Sequence, residues 1–149
     1  MWKLEGITSG NSVQSCLTNF LYNEEINLEC SKCKKPSSVK KIDIIIEPST
    51  LIIQLKRYRY EAKEEKVRKR HEEIKLSKKI TMSTGSTYTL SSVVNHIGNC
   101  PDAGHYNLII FDEQTDSFVL LDDLNVSYCV EMLPKMDSLS YVIFYSKDA

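Results

Sequence analysis

Three side chains in the second half of the chain could do acid–base chemistry together: His105, Asp122 and Asp123. His105 opens an apolar strand pattern after Gly104, and a second such pattern, Ser117 to Leu121, runs directly into the two aspartates. Two strands joined by a short turn bring the start of one beside the end of the other. His105 and Asp122, 17 positions apart (122 − 105), are therefore expected at the same end of one hairpin. A carboxylate beside an imidazole fixes its tautomer and stabilises the imidazolium, which is the orienting half of a catalytic triad. Gly104 would let the backbone approach His105 closely. Such a pair still needs a nucleophile.

Cysteine is the obvious candidate, and there are five. Cys16 lies on the apolar stripe of a predicted helix and reads as a small core residue. Cys30-x-x-Cys33, between short polar strands, has the form of a zinc-knuckle turn, in which two thiolates bind one metal. A closed structural site needs four ligands, and Cys100 and Cys129, 29 residues apart, lack knuckle spacing. The pair is then half of a zinc site completed elsewhere, or a decayed site with free thiols. A redox pair is disfavoured, because no helix N-terminus follows to lower the thiol pKa. Cys100 lies five positions before His105, on the adjoining loop, and is expected to point elsewhere.

The elements that must position these groups follow from patterning. At 149 residues, one domain is expected. The net charge of −1 excludes the basic footprint of a nucleic-acid binder. No apolar run approaches the roughly 20 residues that span a membrane, and residues 1–6 lack the layout of a signal peptide. An odd cysteine count with one close pair argues against a disulfide framework and for a reducing, intracellular compartment.

Val13, Cys16, Leu17, Phe20 and Leu21 form one helical stripe, so Asn11 to Tyr22 is predicted as a helix capped by Asn11 or Ser12. Val39 to Ile46 and Leu51 to Tyr60 are predicted strands, the second apolar enough to be covered on both faces. Glu61 to Lys75 has 11 charged residues in 15 and no apolar stripe. It is read as a solvated excursion, helical or disordered, that carries no chemistry, with His71 solvated inside it. Gly85-Ser86 marks a turn and Thr87 to Val94 a strand. Val126 to Val130 is a short strand that Met132-Leu133-Pro134 breaks, and Ser140 to Ser146 is a closing strand. The sum is an α+β fold: a mostly antiparallel sheet with one clear helix.

In this order the motifs resemble the C-terminal half of the ubiquitin-specific protease domain, a family of cysteine deubiquitinases. Ser12 to Leu21 resembles the segment before the family's fingers, and Leu28 to Cys33 its second zinc pair. Pro48-Ser49-Thr50-Leu51-Ile52-Ile53-Gln54-Leu55-Lys56-Arg57-Tyr58 is similar to the P-x-x-L-I-x-x-L-K-R-F/Y strand. Asn95-His96-x-Gly98 followed by Gly104-His105-Tyr106 resembles the histidine box, Phe118-x-x-Leu121-Asp122-Asp123 the W-x-x-F-D-D box, and Ser140 to Tyr145 the A-Y-I-L-F-Y strand. The resemblance runs from about Ser12 to Ser146.

It implies a papain-like fold without its thumb: a fingers hairpin over about residues 12–47, a palm over 48–146, and 61–75 as a charged insertion. His105 would be the general base, Asp122 its orienter and Asp123 a helper. A loop from Gly98 to Ala103, with Gly104 and Tyr106, would line a channel for the Gly-Gly tail of ubiquitin. A slot that admits only glycine excludes other side chains by sterics. The reaction would be thiol attack on an isopeptide carbonyl, a thioester, then hydrolysis. No cofactor is required for that chemistry, and the structural zinc of Cys30 and Cys33 would be incomplete. Ubiquitin and ubiquitinated proteins are the implied partners, with the missing thumb half of the same domain as a further one; nucleic acid and membrane are not. The setting would be cytoplasmic, nuclear or both.

Departures bear on activity. The family's nucleophile box, G-N-x-C-Y, is absent, as are the oxyanion-supporting residue near it and the first CxxC. Phe118 and Leu121 replace the usual Trp and Phe, and Ala103 stands where a small residue is usual. The chain alone is therefore expected not to cleave ubiquitin conjugates, since triad members act as a unit. Three readings stand: part of a deubiquitinase whose other half is missing, a short pseudoenzyme that binds ubiquitin or a partner, and an unrelated zinc-ribbon or β-rich interaction module. The first requires an exposed apolar face where the thumb would pack, and the second a polar one.

Overall fold

Ser12 caps the helix as its sequence suggests. In a computed structural model of the chain, which describes residues 1–5, 11–22, 24–129 and 138–149, its hydroxyl accepts from the Ser15 N–H at 3.0 Å. The Ser15 hydroxyl in turn accepts from the Ser12 N–H at 2.9 Å, closing a capping box with serine in both roles. Strand β1 (Trp2–Leu4) precedes helix α1 (Val13–Leu21), which buries Val13, Cys16 and Leu17 as the stripe predicts. Burial pushes the Cys16 thiol up, which keeps it a protonated core group.

Strands β2 (Glu24–Ile26) and β3 (Ser38–Lys40) form a small hairpin of their own. The predicted strand Val39 to Ile46 ends here at Lys40. Beyond it no neighbouring strand among the described residues offers a ladder, and Ile45 and Ile46 are 93% and 81% exposed. Strand β4 (Thr50–Leu55) buries Leu51, Ile53 and Leu55 but leaves Ile52 and Gln54 half-exposed. It is covered on one face, not on both as its composition suggests. The predicted strand to Tyr60 breaks at Lys56-Arg57. Arg57 turns fully inward, donating to the carbonyls of Ser140, Arg70 and Glu72, and strand β5 (Tyr58–Glu61) then starts in a new direction.

The charged stretch is neither helical nor disordered. Strand β6 (Lys66–Lys69) pairs with β5 as a hairpin, with Tyr58 opposite Lys69 and Glu65 at φ 52° in the turn. The Glu64–Arg68 ion pair forms, but across this turn. Ile74 and Leu76, just beyond, drop into the core. His71 is exposed as expected.

Strands β7 (Lys79–Thr81), β8 (Thr87–Cys100), β9 (Ala103–Asp112), β10 (Ser117–Asp122), β11 (Asn125–Cys129) and β12 (Ser140–Lys147) complete an eight-stranded sheet. Its order is β1-β4-β12-β8-β9-β10-β11, with β7 also on β8; β1 and β4 run parallel and the other pairs antiparallel. The predicted break at Met132-Leu133-Pro134 lies outside the described residues.

The two faces of this sheet differ. Helix α1 covers one, over a core that includes Leu4, Leu17, Ile53, Val93, Ile143 and Tyr145. On the other, register aligns Ile52, Phe144, Ser92, Ile110, Val119 and Tyr128 in one row and Gln54, Val142, Val94, Leu108, Leu121 and Val126 in the next. Only Ser92 and Gln54 among these are polar, and none of the twelve is buried. An apolar face this broad is what the first reading requires.

Candidate catalytic site

The β9–β10 hairpin brings the predicted pair together. Leu108 sits opposite Leu121, so the start of β9 lies beside the end of β10. His105 Nε2 and Asp122 Oδ1 are hydrogen-bonded. Asp123, in the left-handed region at φ 52°, turns the chain into β11, and its carboxylate lies within 4.8 Å of the other two groups. The hydrogen bond to Asp122, then its charge, and last Asp123 hold the imidazole pKa above the ordinary histidine value.

The geometry decides which nitrogen is basic. A carboxylate can only accept, so Nε2–H donates and Nδ1 carries the lone pair. Among the described residues no hydrogen bond is formed to Nδ1, and the side chain is 43% exposed. A thiol placed at Nδ1 could give up its proton there while Asp122 stabilises the resulting imidazolium.

Cys16, Cys30, Cys33 and Cys100 do not reach it. Cys16 is buried under the helix. Cys100 is exposed at the end of β8, opposite Ala103. Cys30 and Cys33 flank a tight turn between β2 and β3. The Cys30 N–H bonds the Lys35 carbonyl and its own carbonyl accepts from Lys34 N–H, both at 2.9 Å, with Lys34 at φ 57°. Backbone N–H groups of Cys33 and Lys32, then the Cys33 side chain, lower the Cys30 thiol pKa. That favours the thiolate that a metal needs. Yet among the described residues no third His, Cys, Asp or Glu joins the pair, so it fits half of a tetrahedral site and not a closed one.

Gly98, Gly104 and Tyr106 gather on the reverse side of the hairpin from His105. The expected loop from Gly98 to Ala103 is mostly strand: β8 runs to Cys100, and only Pro101-Asp102 turn. The register is irregular between Ile97 and Cys100, and Gly98 takes φ 146° there. A Cβ on Gly98 would lie 2.9 Å from the Ala103 carbonyl. A Cβ on Gly104 would lie 2.2 Å from His96 Nε2. The Tyr106 ring packs on His96 with centroids 4.8 Å apart.

His96 and Lys69 are the groups that pattern reading missed. His96 is fully buried and Lys69 nearly so, with Lys69 Nζ 3.1 Å from His96 Nδ1. Nothing in a run of alternating charges marks Lys69; only its register opposite Tyr58 does.

Comparison with known proteins places these features. The family model described as ubiquitin carboxyl-terminal hydrolase matches residues 6–145. Ubiquitin carboxyl-terminal hydrolase 4 of Arabidopsis thaliana is 29% identical over 136 residues, 84% of this chain and 37% of the relative. The probable ubiquitin carboxyl-terminal hydrolase 9 of Schizosaccharomyces pombe is 29% identical over 160 residues, 94% of this chain and 27% of the relative. The chain thus spans about a third of the curated relatives' length. Among solved structures, a chain of the yeast SAGA DUB module superposes with a TM-score of 0.83 at 23% identity, covering 99% of this chain and 35% of that one. A second, of the SAGA DUB module bound to ubiquitin aldehyde, superposes at 0.82 and 21% identity, covering 99% and 36%. The fold is the papain-like one of that module. Among the described residues no helix is long and apolar enough to cross a membrane.

Proposed function

The chain belongs to the ubiquitin carboxyl-terminal hydrolase family, and from that premise we propose that it supplies the base half of a thiol-dependent deubiquitinase. The observation that carries this reading is the His105–Asp122 bond, which leaves Nδ1 open beside an exposed edge. The thiol comes from outside the described residues. It transfers its proton to His105 Nδ1 and attacks the carbonyl that joins the C-terminus of ubiquitin to a lysine. Asp122 holds the ring and its positive charge through the tetrahedral stage. The C–N bond breaks, the leaving amine takes the proton back from Nδ1, and a thioester remains. His105 then takes a proton from water, the resulting hydroxide attacks the thioester carbon, the C–S bond breaks, the departing thiolate takes the proton back from Nδ1, and ubiquitin is released with a free carboxyl group.

The apolar back face favours this reading over that of a self-sufficient binding module, which would present polar residues there. Its occupant in this reading is another part of a family domain; Leu108 and Ile110 alternate with His105 along β9, so the nucleophile itself must reach Nδ1 on the other side of the hairpin. Zinc at Cys30 and Cys33 would likewise need two ligands from elsewhere.

Complementation tests the proposal. The purified chain is mixed with the part of the Arabidopsis relative outside the matched region, and release of a fluorophore from the C-terminus of ubiquitin is followed. Either half alone stays at the buffer rate, and the mixture turns over in a manner that His105→Gln abolishes. Equal turnover with His105→Gln, or turnover by the chain alone, overturns it. Labelling the chain with ubiquitin that carries a C-terminal thiol-reactive electrophile covers the alternative nucleophile: an adduct on Cys100 would relocate the thiol to this chain.

A further inference from the structure

The β5–β6 hairpin, built from the charged stretch, packs β6 against β8 behind the catalytic strands. Its last strand residue, Lys69, is 7% exposed, an unusual place for an ammonium group. One nitrogen of Lys69 holds a single residue at two points: Nζ lies 3.1 Å from His96 Nδ1 and also donates to the His96 carbonyl. Tyr58 OH reaches the same Nδ1 at 2.8 Å. An ammonium has no acceptor, so Nδ1 must be the lone-pair side and Nε2 carries the ring proton. The His96 N–H donates to the Leu139 carbonyl at 3.0 Å, and the rings of Tyr58, Tyr106 and Tyr141 enclose the imidazole. The ring and the backbone of His96 are thus fixed from several directions.

What rests on this post is the start of β9. The bare Cα of Gly104 faces His96 Nε2 so closely that a methyl group would overlap it. Gly104 is joined directly to His105, and His105 bonds sideways to Asp122 on the next strand. A His96 ring that leaves its place lets the β9 start sink or shift, and that motion changes the distance between two side chains on neighbouring strands.

We propose that Lys69, acting through His96 and Gly104, is a positioning residue for His105. The proposal rests on the reading of His105 as the general base. It gives the charged stretch a task in the chemistry.

The test is histidine-labelled nitrogen NMR of the full chain, which reports the tautomer and titration midpoint of each of its 3 histidines. In the parent, His105 shows the Nε2–H tautomer and a midpoint above that of a free histidine; without both, the base assignment itself fails. In Lys69→Met, circular dichroism remains that of a folded chain, while the His105 midpoint moves down and its downfield Nε2 proton is lost. Lys69→Arg restores both in part. Where Lys69→Met does not fold, Tyr58→Phe carries the test, with the same direction expected. An unchanged His105 titration in the folded variant, whatever happens to its melting temperature, confines Lys69 to stability and overturns the proposal.

Discussion

Gly104→Ala probes the contact on which the site rests. The new Cβ would stand 2.2 Å from His96 Nε2, 2.8 Å from the Ile97 carbonyl and 2.9 Å from His96 Cε1. Ordinary contact begins near 3.4 Å, so the ring would have to retreat by about 1.2 Å (3.4 − 2.2). It has nowhere to go. Lys69 and Tyr58 hold Nδ1, and three tyrosine rings surround the imidazole. The Ile97 carbonyl is backbone in the paired strand and yields even less. Overpacking a closed site costs roughly 1–3 kcal/mol, and a doubly blocked methyl belongs at the upper end, about 3 kcal/mol. For a domain of this size that lowers Tm by roughly 6–12 °C, at about 2–4 °C per kcal/mol. Urea unfolding followed by the fluorescence of Trp2 and by circular dichroism measures it. The double variant His96→Ala/Gly104→Ala supplies the control. With the ring gone, the glycine substitution should cost about half as much, because the Ile97 carbonyl contact remains. A Gly104→Ala chain within about 0.5 kcal/mol of the parent, the ordinary surface range, would refute the reasoning, as would an undiminished cost once His96 is removed.

The remaining predictions touch the other polar groups. Asp122→Asn removes the acceptor and the charge that raise the His105 pKa, so an NMR titration should find that midpoint lower. The sign follows: a raised histidine pKa adds stability below the unfolded value of about 6.5 that is lost as pH rises through the folded value. Parent and Asp122→Asn should therefore differ in Tm on the mildly acidic side and converge above neutrality. Arg57→Met removes the donor that Arg57 offers to the carbonyls of Ser140, Arg70 and Glu72. At about 1–3 kcal/mol for each unsatisfied group, denaturant melts should show a loss of at least about 3 kcal/mol; a loss under 1 kcal/mol would mean that water satisfies them. The chain alone should hold no stoichiometric zinc, and Cys30→Ser/Cys33→Ser should leave Tm unchanged. One zinc per chain by metal analysis, lost in that variant, would contradict this.

The strands that flank the chemistry were legible because their cue is local. The apolar run in Ser117 to Leu121 and the turn-rich segment before Gly104 suffice to set His105 beside Asp122, and the apolar stripe from Val13 to Leu21 suffices for the helix. What was not legible depended on partners distant in sequence. Val39 to Ile46 has strand composition, but a strand needs a ladder, and none among the described residues lies beside residues 41–46. Leu51 to Leu55 looked doubly covered because hydrophobicity does not say whether a second layer is present. The charged run hid a hairpin because its pairing is set by β5, whose tyrosines lie before it, and because a buried lysine is indistinguishable in sequence from a solvated one.

The distribution of the chemistry follows from this topology. His105 and Asp122 on adjacent antiparallel strands form a local structure: they lie 17 positions apart (122 − 105), and the ladder between β9 and β10 sets their distance. No other part of a family domain is needed to make that pair. A nucleophile for Nδ1 has to approach from outside the hairpin, on an element that this sheet does not carry among its described residues. A chain of about a third of its relatives' length can hold a complete His–Asp pair and still depend on association for activity. On this view the rate in a complementation assay is limited by docking of the two halves, whereas the His105 titration, a property of two strands, is already present in the chain by itself.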